Sequence, residues 1–108
     1  MNLSEYQADV KRTMNPEVNS RDIPVMCGLA LPGESGEIAD HLKKWKFQGH
    51  DLDTAEIVDE LGDVLYYVTM LSGWLGYGLD EIMEENVAKR EKRYPNGFEK
   101  ERSINRSE

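Results

Sequence analysis

A chain of 108 residues with 39% hydrophobic and 31% charged side chains fits one domain over 1–108, built on one modest core. Thirteen basic against 21 acidic side chains leave a formal net charge of −8. That balance excludes the sequence-wide basic surface of a general nucleic-acid or anionic-membrane binder, while leaving room for a small phosphate ligand held through metal ions or a local basic cluster.

The single cysteine, Cys27, excludes an intramolecular disulfide and a cysteine-built zinc site, and reads as a small packing residue. No secretory apolar region opens the chain, and no apolar run reaches the roughly 18 residues of a membrane span. The expectation is a soluble, cytoplasmic protein with neither membrane nor nucleic acid as a partner.

A first helix is predicted over 3–14, with Leu3, Tyr6, Val10 and Met14 on one side. Asn15-Pro16 breaks it, and 15–22 reads as a polar loop. A second helix should begin near Pro24, whose fixed φ suits a first turn, and run to about Trp45. Pro32 lies inside it and is expected to kink or split it. After a loop over 48–53, Asp53 and Glu56 give a capping-box-like start to a third helix, which should run to about Leu75, ahead of Gly76 and Gly78. A fourth is predicted over 79–93, ending before Pro95, with 96–108 a polar tail. No useful β-alternation occurs, so the class is all-α, a helical bundle of about four helices.

The third helix is unusually apolar. Ile57, Val58, Leu61, Val64, Leu65, Val68, Leu71 and Leu75 occupy several sectors of its circumference. Such a helix must be covered on most sides, and a chain this short has few other helices to cover it. The expectation is a homo-oligomer, dimer or tetramer, in which a second subunit completes the bundle.

Two stretches align without gaps: "ESGEIADHLKKW" from Glu34 and "ELGDVLYYVTML" from Glu60. Glu34 matches Glu60, Gly36 matches Gly62 and Glu37 matches Asp63. Each helix therefore carries an acid pair at i, i+3, about 60° apart, inside or beside its apolar sector. Each pair brackets a glycine, which costs about 1 kcal/mol of helix stability relative to alanine but lets a backbone or ligand approach. Acid pairs at this spacing also arise by chance in an acidic chain, usually on a solvated face. Four carboxylates converging between helices, however, would repel one another and resist desolvation. A divalent cation is the natural compensation, and carboxylates with water suit Mg²⁺ or Mn²⁺. A di-iron bundle competes with this reading, although it usually uses Glu-x-x-His, which neither pair supplies. His41 lies near the same face and reads as a packing or supporting residue.

Asn86, Lys89, Arg90 and Arg93 recur at i, i+3, i+4 and i+7 and line one side of the fourth helix. Cations near a helix C-terminus favour the macrodipole and need no other role. Beside an acidic metal site they also suit a triphosphate, whose oxygens take metal on one side and Lys/Arg donors on another. Trp45, Tyr66, Tyr67, Trp74 and Tyr94 read as core rather than base-stacking platforms, and there is no Gly-rich phosphate loop.

The order E-x-x-E (Glu34, Glu37), 22 intervening residues, then E-x-x-D (Glu60, Asp63) resembles the MazG-like all-α nucleoside triphosphate pyrophosphohydrolases. "GLALPGESGEIAD", "DELGDVLYYV", "NVAKREKRYPNGF" and the early Tyr6-Gln7 look like successive blocks of that family, over roughly 3–106. Pro32 departs from the pattern, standing where a small helix former is expected. The resemblance implies hydrolysis of (d)NTP to the monophosphate and pyrophosphate. It also implies that Glu34, Glu37, Glu60 and Asp63 hold Mg²⁺, that one of the glutamates serves as general base, and that Asn86, Lys89 and Arg93 contact phosphates. Lys43 and Lys44 are weaker phosphate candidates. Two other classes stay open: a metal- or nucleotide-binding helical protein with little turnover, and a structural adaptor whose acid pairs are a solvated face.

Overall fold

The computed structural model describes residues 1–106. Five helices follow one another: α1 Leu3–Thr13, α2 Ile23–Phe47, α3 Thr54–Leu75, α4 Leu79–Arg93 and α5 Lys100–Ile104, with a 3₁₀ turn at Ser20–Asp22 leading into α2. There is no strand among the described residues, and the all-α class holds. None of these helices is long and apolar enough to cross a membrane.

Local chemistry accounts for the boundaries. Asn2 caps α1, its Oδ1 accepting the Glu5 N–H at 2.8 Å while its Nδ2 donates to the Glu5 carboxylate at 2.7 Å. Asp53 caps α3 by accepting the Glu56 N–H at 3.1 Å. Gly76 ends α3 at φ 82°, a left-handed conformation that costs glycine nothing, and Tyr77 N–H returns to the Ser72 carbonyl at 3.0 Å. The first orphan N–H of α4, at Leu79, is met from outside the helix by Gln7 Oε1 at 2.7 Å.

The expected split at Pro32 does not occur: α2 runs as one helix from Ile23 to Phe47 with Pro32 inside it. A proline in a helix forfeits one hydrogen bond, here to the Gly28 carbonyl. Both residues are exposed, so water is available to that carbonyl and no packed neighbour forces a break. The polar tail expected over 96–108 contains the short α5, and its last two residues lie outside the described residues.

α2 and α3 pack along much of their lengths and are joined by only six residues, so they run antiparallel. α1 lies across α3, and at their junction Val10, Cys27 and Met70 form a buried cluster with Tyr6, Met14, Ile23, Met26, Tyr66, Tyr67 and Leu71 around it. Tyr66 and Tyr67 meet edge to face, and the Tyr66 hydroxyl pairs with Thr13 at 2.9 Å. Burial pushes the Cys27 thiol pKa up, as suits a packing residue.

Much apolar surface stays outside this core. Val58 is 60% exposed, Leu61 53% and Leu65 45% on α3, and Leu29, Leu42 and Trp45 are exposed on α2. Trp45 and Trp74, expected in the core, are each more than two-fifths exposed, although Trp74 Nε1 donates to the Ser20 carbonyl at 2.7 Å. The radius of gyration is 17.2 Å, against about 13 Å for a compact chain of this length.

Candidate active site

The antiparallel pairing sets two polar stripes against each other. On α2, Glu34, Glu37 and His41 stand at i, i+3 and i+7; on α3, Glu56, Glu60 and Asp63 stand at i, i+4 and i+7. Both spacings keep side chains on one face of a helix. Glu34, Glu60 and Asp63 each bring a carboxylate oxygen within 4.8 Å of the others. Three of the four acids singled out in the sequence therefore meet. Glu37 does not join that set and is exposed, but its charge registers on Glu60.

The electrostatics of this meeting centre on Glu60. Its Oε2 is buried and lacks a hydrogen-bond partner among the described residues. A hydrogen bond shared with Glu34, then desolvation, then the charges of Glu34, Glu37 and Asp63 push its pKa up to about 7. Two carboxylates hydrogen-bond only when one carries a proton, so the elevated pKa and the lack of a donor have one origin. The nearby lysines are committed elsewhere. Lys44 pairs with Asp40 at 2.8 Å and Lys43 with the same carboxylate at 3.3 Å, which holds the Asp40 pKa down. An orphaned buried oxygen within a set of carboxylate donors is the environment that a hard divalent cation such as Mg²⁺ or Mn²⁺ fits.

The basic row has a different setting. Every residue of α4 from Asp80 to Lys92 is exposed. Asn86 accepts a 3.0 Å hydrogen bond from Arg90 Nε, and Arg93 is half-buried with its guanidinium 5.9 Å from the centre of the Tyr94 ring. Among the described residues, neither Asn86 nor Lys89 makes a hydrogen bond or ion pair to the acids of α2 and α3.

Glu56 was missed in the sequence, where it reads as half of a capping box. Only the Asp53 half forms; the Glu56 carboxylate instead lies within 4.8 Å of His41 and Glu60. The signal was available one turn beyond each acid pair, since Glu56 and His41 extend the same two stripes. Gly36 and Gly62 were read as points of close approach, yet among the described residues nothing beyond their own stretch of helix comes within 4 Å of where their side chains would begin. Beside the acids, the end of α2 and the loop after it enclose a polar cavity of about 750 Å³ whose walls include His41, Lys44, His50 and Glu56.

Residues 26–98 match the family described as the MazG nucleotide pyrophosphohydrolase domain. The matched span contains Glu34, Glu37, Glu60, Asp63 and the row from Asn86 to Arg93. The gene 37 protein of Mycobacterium phage L5 is 36% identical over 73 residues, which are 64% of this chain and 64% of that protein's own length. No solved structure gives a significant match.

Proposed function

The chain belongs to the MazG nucleotide pyrophosphohydrolase family, and from that premise we propose that it hydrolyses nucleoside triphosphates, deoxy forms included, to the monophosphate and pyrophosphate. The observation that carries this reading is the convergence of Glu34, Glu60 and Asp63 around a buried oxygen with no donor to meet it. These three carboxylates would hold Mg²⁺, with Mn²⁺ an alternative, and Glu37 would complete the set or accept the proton of the attacking water. The bound cation would supply charge neutralisation at the α-phosphate and a lowered pKa for that water. Water oxygen forms a bond to the α-phosphorus, the bond from that phosphorus to the α–β bridging oxygen breaks, and pyrophosphate departs. Asn86, Lys89 and Arg93 would hold phosphate oxygens through charge-assisted and amide hydrogen bonds.

The reading includes a homo-oligomer, a dimer or a tetramer. Support comes from the exposed apolar face of Val58, Leu61 and Leu65 and from a radius of gyration well above that of a compact chain.

The test is incubation with a panel of NTPs and dNTPs plus Mg²⁺, scoring pyrophosphate and monophosphate. Nucleoside diphosphate with orthophosphate would refute cleavage between the α- and β-phosphates. Metal or nucleotide binding without turnover would favour a catalytically weak metal- and nucleotide-binding helical protein, and absence of both would leave a structural role.

A further inference from the structure

The Glu60 carboxylate is shared between two clusters. On one side it meets Glu34 and Asp63; on the other it meets His41 and Glu56, again with one ligand atom from each residue within 4.8 Å of the others. We propose that His41, Glu56 and Glu60 form a second divalent-cation site, distinct in ligand chemistry from the three-carboxylate site and joined to it through Glu60. The proposal rests on the reading of Glu34, Glu60 and Asp63 as a metal site.

Three observations support it. First, His41 and the Glu56 carboxylate face each other and Glu60 without a hydrogen bond or ion pair between them among the described residues. Side chains that had gathered only to pair would have closed to bonding distance. Ligands about 2.0–2.2 Å from a common ion lie at most about 4.4 Å from one another, and these atoms lie within 4.8 Å, so small side-chain adjustments bring them onto one ion. Second, Glu60 Oε2 is buried and meets no hydrogen-bond donor among the described residues. Third, the 750 Å³ polar cavity has His41 and Glu56 in its wall, giving a hydrated ion both a route and room for its remaining waters.

Charge points the same way. Glu34, Glu37, Glu56, Glu60 and Asp63 gather five carboxylates, and one divalent cation offsets only two of those charges. The imidazole nitrogen sets the preference: an all-oxygen set suits Mg²⁺, whereas one nitrogen and two carboxylates favour Mn²⁺ or a later transition ion. A carboxylate bridging two ions about 3.5–4 Å apart is the arrangement that clamps both oxygens of an in-line phosphoryl displacement.

The probe is Mn²⁺ alone, counted by electron paramagnetic resonance titration on the full chain, with pulsed spectra read for nitrogen coupling. The wild-type chain should bind two ions, and a directly coordinated nitrogen should be visible. His41→Ala should bind one ion and lose the nitrogen signal, while His50→Ala, changing the chain's other histidine, keeps both. Glu56→Gln should also lose one ion, which covers a failure of the His41 variant to fold. Glu34→Gln should weaken the other site and keep the nitrogen signal. One ion per wild-type chain with no nitrogen coupling overturns the second site and leaves the carboxylate site standing. No bound Mn²⁺ at all overturns both.

Discussion

Glu34 on α2 and Glu60 on α3 hold carboxylate oxygens within 4.8 Å of each other across an antiparallel helix pair, and among the described residues no lysine pairs with either. Without a cation, the two helices that build the site are pushed apart by the residues that define it. On the proposed role of Glu60 as a cation ligand, function and stability pull in opposite directions there.

The first consequence is a pH dependence of the metal-free protein. Glu60 has a pKa raised from 4.5 to about 7 in the folded chain. Between those values the folded state keeps a proton that the unfolded state has released. This contribution is fully present below about pH 4.5 and is lost as pH rises through 7. With chelator present, Tm should fall from pH 5 to pH 8, and Glu60→Gln should flatten the curve. Parallel wild-type and variant curves would show that the Glu34–Glu60 contact does not form in solution.

Glu60→Gln should also remove turnover while leaving the helical circular dichroism spectrum intact. Loss of a group that merely supports a metal ligand costs about 10–100-fold, so loss of a ligand should reach at least the upper end of that range. Near-normal kcat would remove Glu60 from the metal site.

Lys89 is exposed and unpaired with the acids. If it holds a phosphate, Lys89→Ala should raise KM about tenfold, corresponding to about 1.4 kcal/mol, with Mn²⁺ affinity unchanged. An unaltered KM would leave the residue as a helix-terminal cation and nothing more.

Leu61 lies in the exposed apolar stripe of α3. Sedimentation of the wild type at micromolar concentration should show an oligomer, and Leu61→Glu should shift it toward monomer by placing a charge in the buried face. A stable, folded wild-type monomer would refute the assembly.

Pro32→Ala should stabilise the chain. It restores an N–H to the Gly28 carbonyl and removes a residue that costs about 3 kcal/mol in a helix interior. The greater freedom of the unfolded chain takes back about 1 kcal/mol, leaving a gain of about 2 kcal/mol in denaturant unfolding. Destabilisation would mean that the proline fits a bend in α2 which the assembly requires.

The helices were legible because their ends are written locally. Asn15-Pro16, Asp53, Gly76 and Pro95 each impose a backbone preference that no distant contact has to supply. The acid pairs were legible for a related reason, since i, i+3 spacing fixes a face. The role of Glu56 was not, because its N–H serves a cap while its carboxylate serves a different element, and only the register of α3 against α2 brings it to His41. Pro32 did not split α2, because the cost of a helical proline depends on what surrounds the carbonyl it abandons. The exposure of Trp45 was hidden as well, because composition does not say whether an apolar face is met by the same chain.

Gln7 gives the fourth helix its mooring. Its side chain holds the Leu79 N–H, Leu79 is buried, and beyond that point α4 stands in solvent to Lys92. The basic row thus rides on a cantilever fixed at its first turn. Fifteen residues make a beam about 22 Å long, and a tilt of about 10° at the root carries its tip about 4 Å. On the proposed reading, that is the difference between gripping a phosphate oxygen and missing it. A change at Gln7, in the first helix and remote in sequence from every charged group of the proposed site, would redirect the arm without altering any residue proposed to touch substrate.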